Sequence, residues 1–268
     1  MNTPSRVALV GLALSAWVAP PAMGQEWSMD SNSTWCVETK WNPHTVCEVR
    51  ETVLPTRELL EIDGGLNGGI AVQSWDRNEI QILAKVTVQG ERREWAEEAL
   101  SGIGIDLGDV IEAKISRDIA AQDVAVSYRI KVPRNTNLEL RTHNGGIAIR
   151  DIVGELDFTA WNGGVELVGC GGSVNGVTKN GGLHVELVGT TWEGEGLSVE
   201  TTNGGIELYI PEDYSAKLIT GTVNGGLRVD YPLDERLDRS KQVRTTLGDG
   251  GPLVRVVTRN GGVEVSEL

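Results

Sequence analysis

The chain has 268 residues, with 38 Asp and Glu against 24 Lys and Arg, a formal net charge of −14 at pH 7. This acid excess argues against nucleic-acid binding and against electrostatic docking on anionic lipid, and a solvated acidic surface accounts for it. Thirty-four Gly beside one Phe and four Tyr argue against an aromatic-rich globular core and for many short strands and tight turns.

Residues 1–24 read as a secretory signal peptide. Arg6 supplies the positive start, Val7 to Val18 is apolar apart from Gly11 and Ser15, Pro20-Pro21 ends it, and Ala22-Met23-Gly24 offers small residues for cleavage. The apolar run is too short to span a bilayer, and no later segment approaches that length, so no stable membrane insertion is expected. Cleavage near Gly24 leaves 244 residues with a charge near −15. The expected location is the periplasm or the extracellular side.

A polar segment follows over 25–52, with Trp27, Trp35, Trp41 and His44. Cys36 and Cys47 lie close in sequence there and are expected to form a disulfide in an oxidising compartment. From residue 53 to 133 the pattern alternates as strands: Leu59–Ile62, Ile70–Trp75, Ile80–Val88, Ile103–Leu107, Val110–Ser116 and Val124–Val132, closed by Pro133. One helix interrupts them at about 91–101. It is rich in helix formers, ends at Ser101-Gly102, and presents Trp95, Ala96, Ala99 and Leu100 as its packing face. This stretch reads as a cap over a repeat array.

The array is marked by Asn-Gly-Gly followed by an aliphatic residue, at Asn67, Asn144, Asn162, Asn180, Asn203, Asn224 and Asn260. The last six are 18, 18, 23, 21 and 36 residues apart. Each is followed by alternation such as Val165-Glu166-Leu167 or Ile206-Glu207-Leu208. Hairpins would place a turn every 8–12 residues, whereas one turn type recurring at about twice that interval implies one turn per coil. The expected fold is therefore all-β: a β-solenoid, a single-stranded parallel β-helix-like stack with regular coils over 134–268. Asn and Gly suit such turns because both enter the left-handed region. Residues 232–251 read as a projecting loop or hairpin before the last coil.

Aligned on Asn, the outward residue of each following strand is Ala148, Glu166, His184, Glu207, Arg228 and Glu264. Stacked in chain order, His184 lies between two Glu, and Arg228 lies between Glu207 and Glu264. Like charges then avoid each other.

These residues resemble the DUF4097 family of adhesin-like β-solenoids. The resemblance runs from about Val53 to Leu268. It rests on Gly68-Gly69-Ile70-Ala71-Val72-Gln73-Ser74-Trp75-Asp76, the strand entering Val132-Pro133, Leu138 to Thr142, the serial Asn-Gly-Gly turns, and Tyr209 to Ala216. The family pattern often has Asp where this chain has its second Gly, which removes a row of carboxylates. The resemblance implies a cell-envelope or secreted protein and carries over no catalytic residue.

Chemistry finds little support in the residues. The Asn column reads as a ladder satisfying turn backbone and neighbouring amides. His44, His143 and His184 are scattered and form no triad pattern. No Cys/His spacing resembles a zinc site, and neither metal nor cofactor is expected. Cys170, between Gly169 and Gly171, reads as a small buried corner residue. Trp27, Trp35, Trp41, Trp161 and Trp192 either stack on sugars or pack over ends and corners. The expected function is a non-enzymatic, adhesin-like binding scaffold whose partner is an envelope protein or a glycan. The alternatives are an envelope-stress or signalling accessory, and a glycan lyase or hydrolase using Glu166, Glu207 and Glu264 with Arg228.

Overall fold

The computed structural model describes residues 27–31, 33–37, 43–232 and 241–268; the signal segment, Trp41 and part of the 232–251 insertion lie outside them. In chain order the elements are β1 (Ser28–Asp30), α1 (Thr34–Val37), β2 (Thr45–Pro55), β3 (Leu59–Asp63), β4 (Ile70–Trp75), β5 (Glu79–Gln89), α2 (Arg93–Ser101), β6 (Gly104–Leu107), β7 (Val110–Lys114) and β8 (Val124–Pro133). The coils follow: β9 (Asn137–Asn144) and β10 (Ile147–Arg150), β11 (Val153–Asn162) and β12 (Val165–Val168), β13 (Gly171–Asn180) and β14 (Leu183–Glu186), β15 (Gly196–Asn203) and β16 (Ile206–Ile210), β17 (Ala216–Asn224) and β18 (Leu227–Asp230). The chain closes with β19 (Gln242–Leu247), β20 (Leu253–Asn260) and β21 (Val263–Glu267).

Each coil contributes one strand to each of two facing sheets, and Asn-Gly-Gly carries the chain from one to the other. The front sheet runs β1-β2-β5-β8-β4-β10-β12-β14-β16-β21-β18, and the back sheet β19-β17-β20-β15-β13-β11-β9-β3-β7-β6. Pairing from β8 through β18 in front is parallel and in register, so Ile147 faces Val165 and Val165 faces Leu183. Alternation points Ile147 and Ile149 inward against Leu138 and Leu140, all at most 1% exposed. One continuous apolar core results, from Val46 to Val265. The solenoid expected from the turn spacing is thus the fold.

The ends are closed by antiparallel pairing, which removes the open edges of a parallel stack. At the N-terminal end β5 pairs with β8 and β2 with β5. Helix α2 buries Ala96 and Ala99 beneath them. Arg50, 7% exposed, points inward and donates to the carbonyls of Leu100 (3.1 Å) and Ile103 at the C-terminal end of α2, where a cation suits the helix dipole. At the other end β19 pairs antiparallel with β17.

The last coils do not stack in chain order. β20 lies between β15 and β17, and β21 between β16 and β18. Once β19 covers the outer edge of β17, the remaining free edge of β17 faces β15, and the final coil fills that slot. The outward column therefore runs Glu166, His184, Glu207, Glu264, Arg228. This corrects the order in which Arg228 separates the two Glu: Glu207 and Glu264 are direct neighbours.

Candidate functional site

The seven Asn come together in one unbroken ladder. Each amide Nδ2 donates to the Oδ1 of its neighbour: Asn224 to Asn260, Asn260 to Asn203, Asn203 to Asn180, Asn180 to Asn162, Asn162 to Asn144, and Asn144 to Asn67, at 2.7–3.1 Å. Asn67 ends the row by donating to the carbonyls of Ala121, Gln122 and Val124. Backbone bonds continue through the turns, as from the Gly163 N–H to the Asn180 carbonyl at 3.0 Å. Asn180→Ala removes two amide bonds and Asn224→Ala one. With about 0.5–1.5 kcal/mol per bond, urea unfolding should show a loss near 2 kcal/mol for the first and about half that for the second; equal losses would mean that the ladder contributes no coupling.

A second row went unrecognised in the sequence. Thr142, Thr178, Thr201 and Thr258, each two residues before a turn Asn, donate their hydroxyls to the carbonyls of Gly68, Gly163, Gly181 and Gly204 at 2.6–2.9 Å. The Thr-x-Asn-Gly-Gly spacing was the available signal. Ala160 breaks this row, and the buried Thr222 hydroxyl has no partner.

The turn glycines also differ from expectation. Of those in the seven motifs, only Gly261 has a positive φ, 154°. The first Gly of each turn is required instead by close stacking: a Cβ on Gly163, Gly181 or Gly204 would lie 1.9–2.0 Å from the carbonyl oxygen of the first Gly in the neighbouring turn. The second Gly is freer, with a Cβ on Gly164, Gly182 or Gly205 at 3.3–3.5 Å from the nearest atom.

Along the second glycines runs an open groove of about 970 Å³ spanning six coils. Its far wall is the outward column from Ala148 to Arg228. Arg150 pairs with Glu166, His184 Nδ1 lies 3.1 Å and Nε2 3.9 Å from Glu207 and Glu186, and Arg228 lies 3.3 Å from Glu264. All of these side chains are at least one-third exposed, so each pair contributes at most about 1 kcal/mol. The carboxylates stand in a row along the groove, with His184 within hydrogen-bonding distance of Glu207. Among the described residues no cluster of three His, Cys, Asp or Glu is arranged to hold a metal ion.

The tryptophans divide. Trp192 is 5% exposed and donates its indole N–H to the Gly172 carbonyl at 2.9 Å, so of the two readings it takes the packing one and closes a corner. Trp161 is 44% exposed, stacked on His143 at 5.8 Å with Lys179 Nζ 3.8 Å above it. Trp35 lies on the outer face of the front sheet between Lys85 and Arg129, at 5.1 and 4.0 Å. Trp75 carries Arg77 and Lys131, at 5.0 and 5.7 Å. Cys36 and Cys47 are joined by a disulfide, which fixes α1 and Trp35 over that face.

Cys170 packs at a corner, its Sγ 3.4 Å from the Ile149 carbonyl oxygen. Burial pushes its thiol up to about 12, with the Asp151 charge adding to the effect and hydrogen bonds from backbone opposing it. The reactive thiolate is then scarce near neutral pH and grows only as pH rises toward that value. Iodoacetamide labelling at pH 8, read by intact mass, should be on the order of a thousandfold slower than for a free thiol.

Among the described residues no helix is long and apolar enough to cross a membrane. No curated protein matches the chain. Among solved structures the chain is similar to one described as a candidate cell adhesion protein from Clostridium sporogenes ATCC 15579, at 11% identity, with 82% of this chain and 100% of that chain covered and a TM-score of 0.45. It is also similar to a candidate adhesin from Bacteroides fragilis NCTC 9343 (12% identity, 82% and 97% covered, TM-score 0.31). A third, described as a candidate lipid binding protein from Parabacteroides distasonis ATCC 8503, is 8% identical (82% and 96% covered, TM-score 0.33). The Toastrack DUF4097 family matches residues 84–266, from within β5 to within β21. Since that span is more than half of the chain and holds every parallel coil from β9 onward, the protein belongs to the Toastrack DUF4097 family.

Proposed function

We propose that the protein is an exported, non-enzymatic binding scaffold of the cell envelope or extracellular space, and that the outer face of its front sheet is the contact surface. The observation that carries this is the open groove across six coils, held rigid by the Asn ladder and walled by one continuous column of side chains. An extended partner can lie along such a face, and each coil can vary its own contact. Acid–base catalysis needs groups converging on one reacting atom, whereas here the carboxylates are spread one per coil. The signal-like segment at 1–24 and the Cys36–Cys47 disulfide favour an oxidising compartment.

The test is to immobilise residues 25–268 and offer envelope fractions and a glycan array. Retention of a protein or glycan by the native chain, lost with Glu166→Lys and Glu264→Lys together, is the expected result. No retention in either assay would overturn the reading.

A further inference from the structure

One cross-strand row on the outer front face passes through eleven strands, from Ser28 on β1 to Arg228 on β18, and its charged residues lie on the ten from Glu51 on β2 onward. Its charges are unevenly divided. The N-terminal part holds Lys85, Arg129, Lys131 and Arg150 on or beside the row, and the C-terminal part holds Glu166, Glu186, Glu207 and Glu264. Arg129 is exposed and stacked on Trp35, and it has no carboxylate partner among the described residues. Stacking fixes the guanidinium plane while leaving its N–H edge free for a bidentate acceptor. At the other end, Glu207 and Glu264 are direct cross-strand partners with side chains 60% and 49% exposed. Like charges so placed repel; within the chain His184 lies 3.1 Å from Glu207 and Arg228 3.3 Å from Glu264, and a further cation arriving from outside at the exposed Glu207 would add to this relief.

The two ends of the row are complementary to each other. Counting from β2, Arg129 is third and, counting from β18, Glu207 is third; Glu51 and Arg228 are the outermost charged residues, with Ser28 of β1 beyond Glu51; Ala148, beside Arg150, and Glu166 are the central pair of these ten strands. We propose that this face is a homodimer interface, in which two copies pack front to front about a two-fold axis that runs parallel to the strands between β10 and β12. The operation sets Arg129 of one copy on Glu207 of the other, Glu51 on Arg228, and Arg150 beside Glu166. It also fits the shapes. Trp35 stands over the second and third of these ten strands, which are β5 and β8, and these are carried onto β21 and β16, where Glu264 and Glu207 wall the groove. An isologous contact of this kind closes as a dimer and does not propagate. Ten strands spaced about 4.8 Å apart and roughly 15 Å wide give a footprint on the order of 600 Å², close to the ~800 Å² per partner of a standard interface. The inference rests on the front face being a contact surface and names a second copy of the chain as its partner.

Sedimentation of residues 25–268 at micromolar concentration is the test. At about 0.15 M salt the expected mass is twice that of the chain. At about 1 M salt, where the screening length falls to ~3 Å, it should shift to that of the monomer. Arg129→Glu and Glu207→Arg should each weaken the dimer at least tenfold, and the two in one chain should restore it, because the pair is remade with its signs exchanged. Thermal melts show whether each variant is folded. Independently, Glu51→Cys combined with Arg228→Cys should be cross-linked between two copies by a bis-maleimide whose arms span about 10 Å, the spacing of face-packed sheets. A monomer at every concentration and salt, or a dimer indifferent to both single substitutions, would overturn the proposal. Capture of another envelope protein or a glycan by a chain that stays monomeric would sink the homodimer and leave the scaffold reading standing.

Discussion

Gly181→Ala is expected to cost about 3 kcal/mol or more, while Gly182→Ala, one residue later, should cost about 1 kcal/mol or less. The difference comes from coil spacing. A Cβ on Gly181 would lie 2.0 Å from the Gly163 carbonyl oxygen and 2.4 Å from its carbon. Both are backbone atoms in the next turn, held by the bond from the Gly163 N–H to the Asn180 carbonyl, and no rotamer change relieves them. Moving the turn outward would lengthen that bond and pull Asn180 from its neighbours on both sides. A Cβ on Gly182 would lie 3.3 Å from the Gly205 carbonyl oxygen, a contact that small shifts absorb. Urea unfolding of the two variants, compared by midpoint at equal slope, measures the difference. Equal midpoints would show that the first Gly is not fixed by stacking.

This contrast marks the limit of what the turn motif discloses. The interval between Asn-Gly-Gly motifs identified one turn per coil, hence a parallel β-solenoid stack and an Asn ladder. The same motif pointed to left-handed backbone as the reason for glycine, whereas the seven turns need glycine mainly because coils approach closely. A distance between coils is a tertiary quantity, and a local sequence pattern does not contain it. The stacking order of the last coils was hidden for a related reason. The 36 residues between Asn224 and Asn260 indicate an insertion but not which edge of β17 the chain returns to. That choice follows from β19 occupying the outer edge. The consequence is functional as well as topological, because it places Glu207 against Glu264 and moves Arg228 to the end of the row. The Thr row was legible in principle, since Thr recurs two residues before five of the seven Asn, but its role depends on the neighbouring turn carbonyl. The basic end of the front face was not legible at all. Lys85, Arg129 and Lys131 come from strands outside the repeat, and Trp35 joins them only through the disulfide that folds α1 over the sheet.

The single Phe gives the other large effect. Phe158 is 4% exposed and directly opposite Gly176 in the neighbouring coil. A Cβ on Gly176 would lie 2.1 Å from the Phe158 Cζ atom, so the ring occupies space that a side chain at 176 would otherwise fill. Leu140 on one side and Val199 on the other bound the same inward row, both fully buried. One coil is thus overfilled and the next left empty, and the pair fills two layers of the core. Phe158→Ala should cost about 3–5 kcal/mol, because the cavity it opens spans both layers. Gly176→Ala should also destabilise, by about 1–3 kcal/mol of overpacking. The two are coupled by contact, so their combination is the informative measurement. In a Phe158→Leu background the shorter side chain vacates the space beside residue 176, and Gly176→Ala should then be neutral or stabilising. The coupling expected for residues sharing one volume is about 0.5–3 kcal/mol. Strict additivity in the double-mutant cycle would mean that the ring does not occupy the Gly176 space. It would also remove the explanation for a Gly in the middle of β13, where glycine otherwise weakens a strand.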